Sequence, residues 1–147
     1  MSDSSLASAS PSADPLDPAL SALIDRVAER QREDFGRMAS SLKADGSLIT
    51  ACDRWSDATL VEGLSEIFPG EGVLSEEGNQ SVPGTPAYWV VDPLDGTTNF
   101  AAGIPYWAIS VARFEAGVPV LAVLDVDRKS TRLNSSHSSV SRMPSSA

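Results

Sequence analysis

The chain has 147 residues, 41% of them hydrophobic, with one cysteine and a formal net charge of −9. That length suits one ordinary domain with its own core. No apolar run reaches the roughly 18 residues that a membrane span needs, and the lone Cys52 excludes an internal disulfide and points to a reducing cytoplasm. All 20 acids lie in residues 1–127 beside 7 of the 11 basic residues, so that stretch carries −13, while 128–147 carry +4. So acidic a body repels a phosphate backbone, which argues against nucleic acid as a partner, and it is compatible with binding cations.

Residues 1–16 are rich in Ser, Ala and Pro, with acids but no Lys or Arg. They read as a disordered arm and lack the basic start and apolar block of a secretory signal. Asp17 and Pro18 then suit an N-cap and a first helical position. Leu20, Leu23, Ile24, Val27, Phe35, Met38 and Leu42 recur near helical spacing, which predicts one amphipathic helix from Pro18 to Leu42, with Gly36 inside it. Lys43–Ser47 is a turn and Leu48–Thr50 a short extended piece. Asp53 or a neighbour starts a second helix with the stripe Leu60, Val61, Leu64, Ile67 and Phe68, which Pro69-Gly70 stops.

Strand chemistry follows. Gly72–Ser75 is short and apolar, Glu76-Glu77-Gly78 opens a polar loop, and Tyr88–Val91 is a β-rich run ending at Asp92-Pro93. Tyr106–Phe114 and Val118–Val126 are two further strands, joined by the hairpin-length Glu115-Ala116-Gly117. Helices followed by strands predict an α+β fold, two helices packed on a largely antiparallel sheet across residues 17–127. Residues 128–147 have no periodicity and read as a disordered tail. They resemble translated vector sequence fused to an interrupted gene, and His137 within them is assigned no function.

The segment with the most chemistry is Asp92-Pro93-Leu94-Asp95-Gly96-Thr97-Thr98-Asn99-Phe100. A strand delivers Asp92 at its carboxyl end. Pro93 cannot donate to a ladder, so pairing is expected to stop there. Asp95 follows three residues later, and a turn brings both carboxylates to one point. Gly96 lets backbone approach a ligand closely. Gly96, Thr97 and Thr98 offer consecutive amides, suited to an anion nest or a helix start. Carboxylates beside an anion conflict unless a hard divalent cation lies between them, and Mg²⁺ takes such oxygen ligands. Any one of these residues alone also fits a plain Asp-Gly turn.

Those nine residues match, without a gap, the signature of the inositol monophosphatase family, which the chain resembles. Upstream, Lys43–Asp53 looks like the family's Thr-x-x-Asp segment, and Leu74–Gly78 like its paired-glutamate segment. The resemblance covers about Asp17 to Asp127 and implies the N-terminal half of a layered αβαβα sugar-phosphatase fold. It implies Glu76, Asp92, Asp95 and the Leu94 carbonyl as metal ligands, with Asp92 bridging two ions. It implies Gly96 and Thr97 amides on the substrate phosphate, beside Glu76, Leu94 and Asp95, and Asp53 with Thr97 as the pair that helps activate water. Asp53 also suits a plain helix N-cap, and Glu77 the surface.

The activity so implied is Mg²⁺-dependent, lithium-sensitive hydrolysis of a phosphate monoester by direct attack of water, with two or three ions per complete site. The partner is a small phosphorylated polyol or sugar, and the parent enzyme a homodimer. Inositol 1-phosphate is the simplest substrate; histidinol phosphate, a sugar bisphosphate or a phosphoadenosine nucleotide are alternatives, as is a non-catalytic metal- or anion-binding module. The family's further aspartate, in a Trp-Asp-x-Ala context, has no counterpart after Asp127. The chain therefore reads as truncated and inactive alone. Ala101-Ala102-Gly103 follows the signature where many members have a histidine at the second position, which reads as subfamily variation.

Overall fold

The computed structural model describes residues 16–37, 40–42, 48–126 and 132–135. Helix α1 (Pro18–Asp34) begins where Asp17 Oδ1 accepts from the N–H groups of Ala19 at 2.9 Å and Leu20 at 3.1 Å, with Pro18 in its first turn. Leu20, Leu23, Ile24 and Val27 form its buried stripe, and Leu16 packs beside them, so order begins before the expected end of the arm. The helix stops eight residues short of the predicted Leu42. Phe35 is its C-cap, and Gly36 at φ +76 takes the left-handed conformation that ends helices. Strand β1 (Ser40–Leu42) occupies part of the remainder and pairs antiparallel with β2 (Leu48–Thr50). Met38 and the predicted turn at 43–47 lie outside the described residues.

Helix α2 (Ala51–Ile67) starts two residues before Asp53, with Thr50 as N-cap. Asp53 sits at N3 and completes a capping box: its N–H donates to Thr50 Oγ1 at 3.2 Å, while its Oδ2 accepts the Thr50 N–H at 2.8 Å. The two helices meet closely, since a Cβ on Gly63 would fall 2.5 Å from Leu23 Cδ1.

Five strands form the main sheet in the order β3 (Gly72–Ser75), β4 (Ala87–Asp95), β5 (Ala108–Glu115), β6 (Val118–Asp125) and β7 (Arg132–Ser135). Only β3 and β4 run parallel; β4 through β7 are antiparallel, as a largely antiparallel sheet requires. Alternation puts Trp89, Val91, Ile109, Val111 and Val123 on one face, against the stripes of α1 and α2. At the sheet end away from the signature, Glu71 Oε2 accepts from Trp89 Nε1 at 2.7 Å and from Arg113 Nε at 2.9 Å.

Three expectations at strand ends are corrected. Pairing does not stop at Pro93: it runs to Asp92↔Ser110, slips, and resumes at Asp95↔Ala108. Three steps along β4 thus oppose two along β5, a bulge that accommodates the proline's missing donor. Strand β5 begins at Ala108 rather than Tyr106. Residues 132–135 of the expected tail are not free of the domain: they pair with β6 at Ala122–Asp125, because an open strand edge with unpaired N–H and C=O groups takes up an extended segment. No helix among the described residues is long and apolar enough to cross a membrane.

Candidate active site

The bulge turns β4 into the signature segment. Gly96 follows at φ +104, a conformation in which other residues are strained, and serves as N-cap of the single-turn helix α3 (Thr97–Ala101). That helix was foreseen only as one possible start after Gly96. Its anchor is Phe100, 2% exposed, which packs edge-on against Trp107 with ring centres 5.0 Å apart. The Gly96 carbonyl accepts the Phe100 N–H at 2.9 Å, and the Asn99 side chain donates to the Tyr106 carbonyl at 3.0 Å. The turn is therefore held from both ends.

Asp92 lies within β4 at the start of the bulge, where the carboxylates gather. Its Oδ1 accepts the Leu94 N–H at 3.3 Å. Burial first, then a hydrogen bond and the charge of Glu76, and then the charge of Asp95, push its carboxyl up to about 7. Glu76 comes from the loop after β3, which is next to β4 in the sheet. That loop is tight: Ser75 Oγ accepts the Gly78 N–H at 3.0 Å, and the Ser75 N–H donates to the Asn79 carbonyl at 2.8 Å. Glu76 and Asp95 are exposed and Asp92 is half-buried.

Asp53 approaches from α2. It is 1% exposed, and its Oδ1 accepts the Thr97 hydroxyl at 2.7 Å while Oδ2 faces the Thr50 N–H and hydroxyl. Thr97 Oγ1 also lies 3.2 Å from the Leu94 carbonyl. Asp53 is thus not the N-cap itself, which is Thr50, but its capping-box partner at N3, with one oxygen on Thr50 and the other on Thr97. The fold brings together Asp53, Thr97, Leu94, Asp92, Asp95 and Glu76, with Gly96 between them. Glu77 is half-buried.

The donor chemistry fits a hard divalent cation. Every candidate group is an oxygen, and Asp92 stands where neighbouring negative charge already favours a bound positive charge. Among the described residues, no three carboxylate, imidazole or thiol groups close on a single point at metal-ligand spacing. Cys52, beside Asp53, adds no nucleophile, because burial pushes its thiol up to about 12.

Several contributing residues escape sequence reasoning. Thr50 is one, although the Thr-x-x-Asp spacing is a capping-box signal that marks it. Asp57, one turn after Asp53 on α2, is 7% exposed with its Oδ1 lacking a hydrogen-bond partner, and a Cβ on Gly78 would come within 3.1 Å of its Oδ2. No local signal marks it.

Comparison with known proteins agrees with this architecture. The chain is 41% identical over 105 residues to the histidinol-phosphatase of Mycobacterium tuberculosis, covering 70% of this chain and 40% of that protein. It is 43% identical over 96 residues to the inositol-1-monophosphatase of Rhizobium meliloti, covering 62% and 36%. The chain thus spans well under half the length of these relatives. The solved structure of the Thermotoga maritima IMPase superposes with a TM-score of 0.73 at 29% identity, over 80% of this chain and 46% of that one. An IMPase/NADP phosphatase complexed with Mg²⁺ and phosphate gives 0.57 at 27% identity, over 69% and 38%. The inositol monophosphatase family model matches residues 13–126, and the chain belongs to that family.

Proposed function

We propose that this chain supplies the metal- and phosphate-binding half of a Mg²⁺-dependent phosphatase acting on a small phosphate monoester. The observation that carries the reading is the meeting of Glu76, Asp92 and Asp95 beside the Asp53–Thr97 pair and the Gly96 turn. Glu76, Asp92, Asp95 and the Leu94 carbonyl are the groups that would hold the ions. When bound, Mg²⁺ supplies positive charge that acidifies water and offsets the charge of the phosphate. Asp53, its second oxygen fixed by Thr50, orients the Thr97 hydroxyl and keeps a proton acceptor beside it. The Gly96 and Thr97 amides receive phosphate oxygens at the turn.

Inositol 1-phosphate is the substrate we favour. Histidinol phosphate is the second reading, supported by the 41% identity to a histidinol-phosphatase over 70% of the chain. A chain spanning about 40% of such relatives supplies part of a site, so phosphate release by these 147 residues alone is expected to be weak. The test is phosphate release from both esters by a chain of the relatives' full length that carries these residues, with and without Mg²⁺. Asp92→Asn is expected to lower Mg²⁺-dependent turnover by about a hundredfold or more, as removal of a directly acting electrostatic group does. Release that ignores Mg²⁺, or survives in Asp92→Asn, refutes the reading.

A further inference from the structure

The bulge between Asp92 and Asp95 creates a problem that a residue far off in sequence solves. Pro93 is buried, and the slip of register falls across it, between the pairs Asp92↔Ser110 and Asp95↔Ala108. A buried carbonyl outside the regular ladder needs another donor. The donor is Gln31 on α1, 62 positions away, whose Nε2 reaches the Pro93 carbonyl at 2.6 Å. The same Nε2 donates to Ser56 Oγ on α2 at 3.0 Å, and Gln31 Oε1 accepts the Trp107 indole N–H at 3.1 Å. Because an indole N–H only donates, this contact fixes which end of the amide faces Pro93. Gln31 is 1% exposed, in a stripe otherwise made of Leu20, Leu23, Ile24, Val27 and Ala28. An apolar residue there would leave the buried Pro93 carbonyl and Ser56 hydroxyl and the half-buried Trp107 indole N–H without this partner.

We propose that Gln31 is a positioning residue of the site: through the Pro93 carbonyl it locks the bulge that aims Asp92, the Leu94 carbonyl and Asp95. Trp107 extends the lock, since its ring packs on Phe35 at 4.7 Å and on Phe100 of α3 at 5.0 Å. Both ends of the signature are therefore tied to one amide. Only the link to metal binding rests on the proposed function; the lock itself does not.

The experiment compares Gln31→Leu, Gln31→Glu and, as a core control, Leu60→Ala in the whole chain. Amide hydrogen exchange is followed across residues 91–100, and Mn²⁺ uptake by electron paramagnetic resonance. Gln31→Glu, followed at a pH where the new carboxyl is ionised, is the decisive variant if Gln31→Leu does not fold: it still accepts from Trp107 and can accept the Ser56 hydroxyl where Gln31 donated to it, but it has no proton for the Pro93 carbonyl. In the Gln31 variants, exchange over 91–100 is expected to rise about tenfold beyond the change elsewhere, the scale of one lost buried hydrogen bond. Mn²⁺ affinity is expected to fall roughly tenfold or more, as when an outer partner of a metal ligand is lost. Leu60→Ala is expected to raise exchange throughout. Unchanged exchange at 91–100, or a rise no greater than elsewhere, overturns the positioning role. A wild-type chain that takes up no Mn²⁺ counts against the metal reading and leaves the exchange result to decide Gln31.

Discussion

At the residue scale, Asp92 carries the most distinctive electrostatics. Its carboxyl rises from 3.8 to about 7 because burial, Glu76 and Asp95 all disfavour its charge. Between those two values the folded chain holds a proton that the unfolded chain has released. Stability from this group is therefore fully present below about pH 4, is lost as pH rises through the window, and levels off above about pH 7. In chelator the melting temperature is expected to fall from pH 5 to pH 8, and Asp92→Asn is expected to flatten that slope. Parallel slopes for the two proteins in thermal melts would show that Asp92 does not titrate this way. The residues that crowd Asp92 were legible in the sequence because they fall in short contiguous motifs. Gln31, Ser56 and Trp107 were not. A glutamine between apolar positions of a helix reads as a polar interruption, and nothing local connects it to a carbonyl on a strand 62 positions away.

At the element scale, types were easier to read than ends. The periodicity of Leu20 to Val27 placed α1 correctly, but Phe35, Met38 and Leu42 kept helical spacing past the true stop. The left-handed Gly36 decides that boundary, and a single glycine weighs little against three apolar residues in a pattern argument. Pro93 was likewise read as a terminator, when a bulge lets the strand continue through it to Asp95. Gly96 is where the backbone requirement is sharpest. Its φ is +104, and a Cβ there would lie 3.0 Å from the Tyr106 carbonyl oxygen and 3.3 Å from the Trp107 backbone, neither able to swing aside as a flexible side chain could. Gly96→Ala is expected to destabilise the fold by roughly 1–3 kcal/mol from backbone strain alone. A denaturant titration giving an unchanged midpoint would mean that the turn relaxes freely.

At the scale of the whole molecule, the sheet has two unlike faces and one protected edge. The helices cover the face that carries Trp89, Val91, Ile109 and Val111. On the opposite face Tyr88 and Phe114 stack across β4 and β5 at 5.3 Å, and Leu124 is 36% exposed. Strand β6 is apolar for most of its length, and Val118 at its start and Val126 just past its end are exposed as well. The only cover on the far edge of β6 among the described residues is the four-residue β7. Residues 128–147 read as a disordered tail, whereas four of them pair with Ala122–Asp125, half the length of that edge. Ending the chain at Asp127 would uncover the N–H and C=O groups of an apolar strand, which is a template for pairing with a second copy. The shortened chain is expected to self-associate at concentrations where the full chain does not, with its helices intact by circular dichroism. Light scattering that gives the same mass for both chains at every concentration would show that β7 leaves the edge no better protected than bare strand.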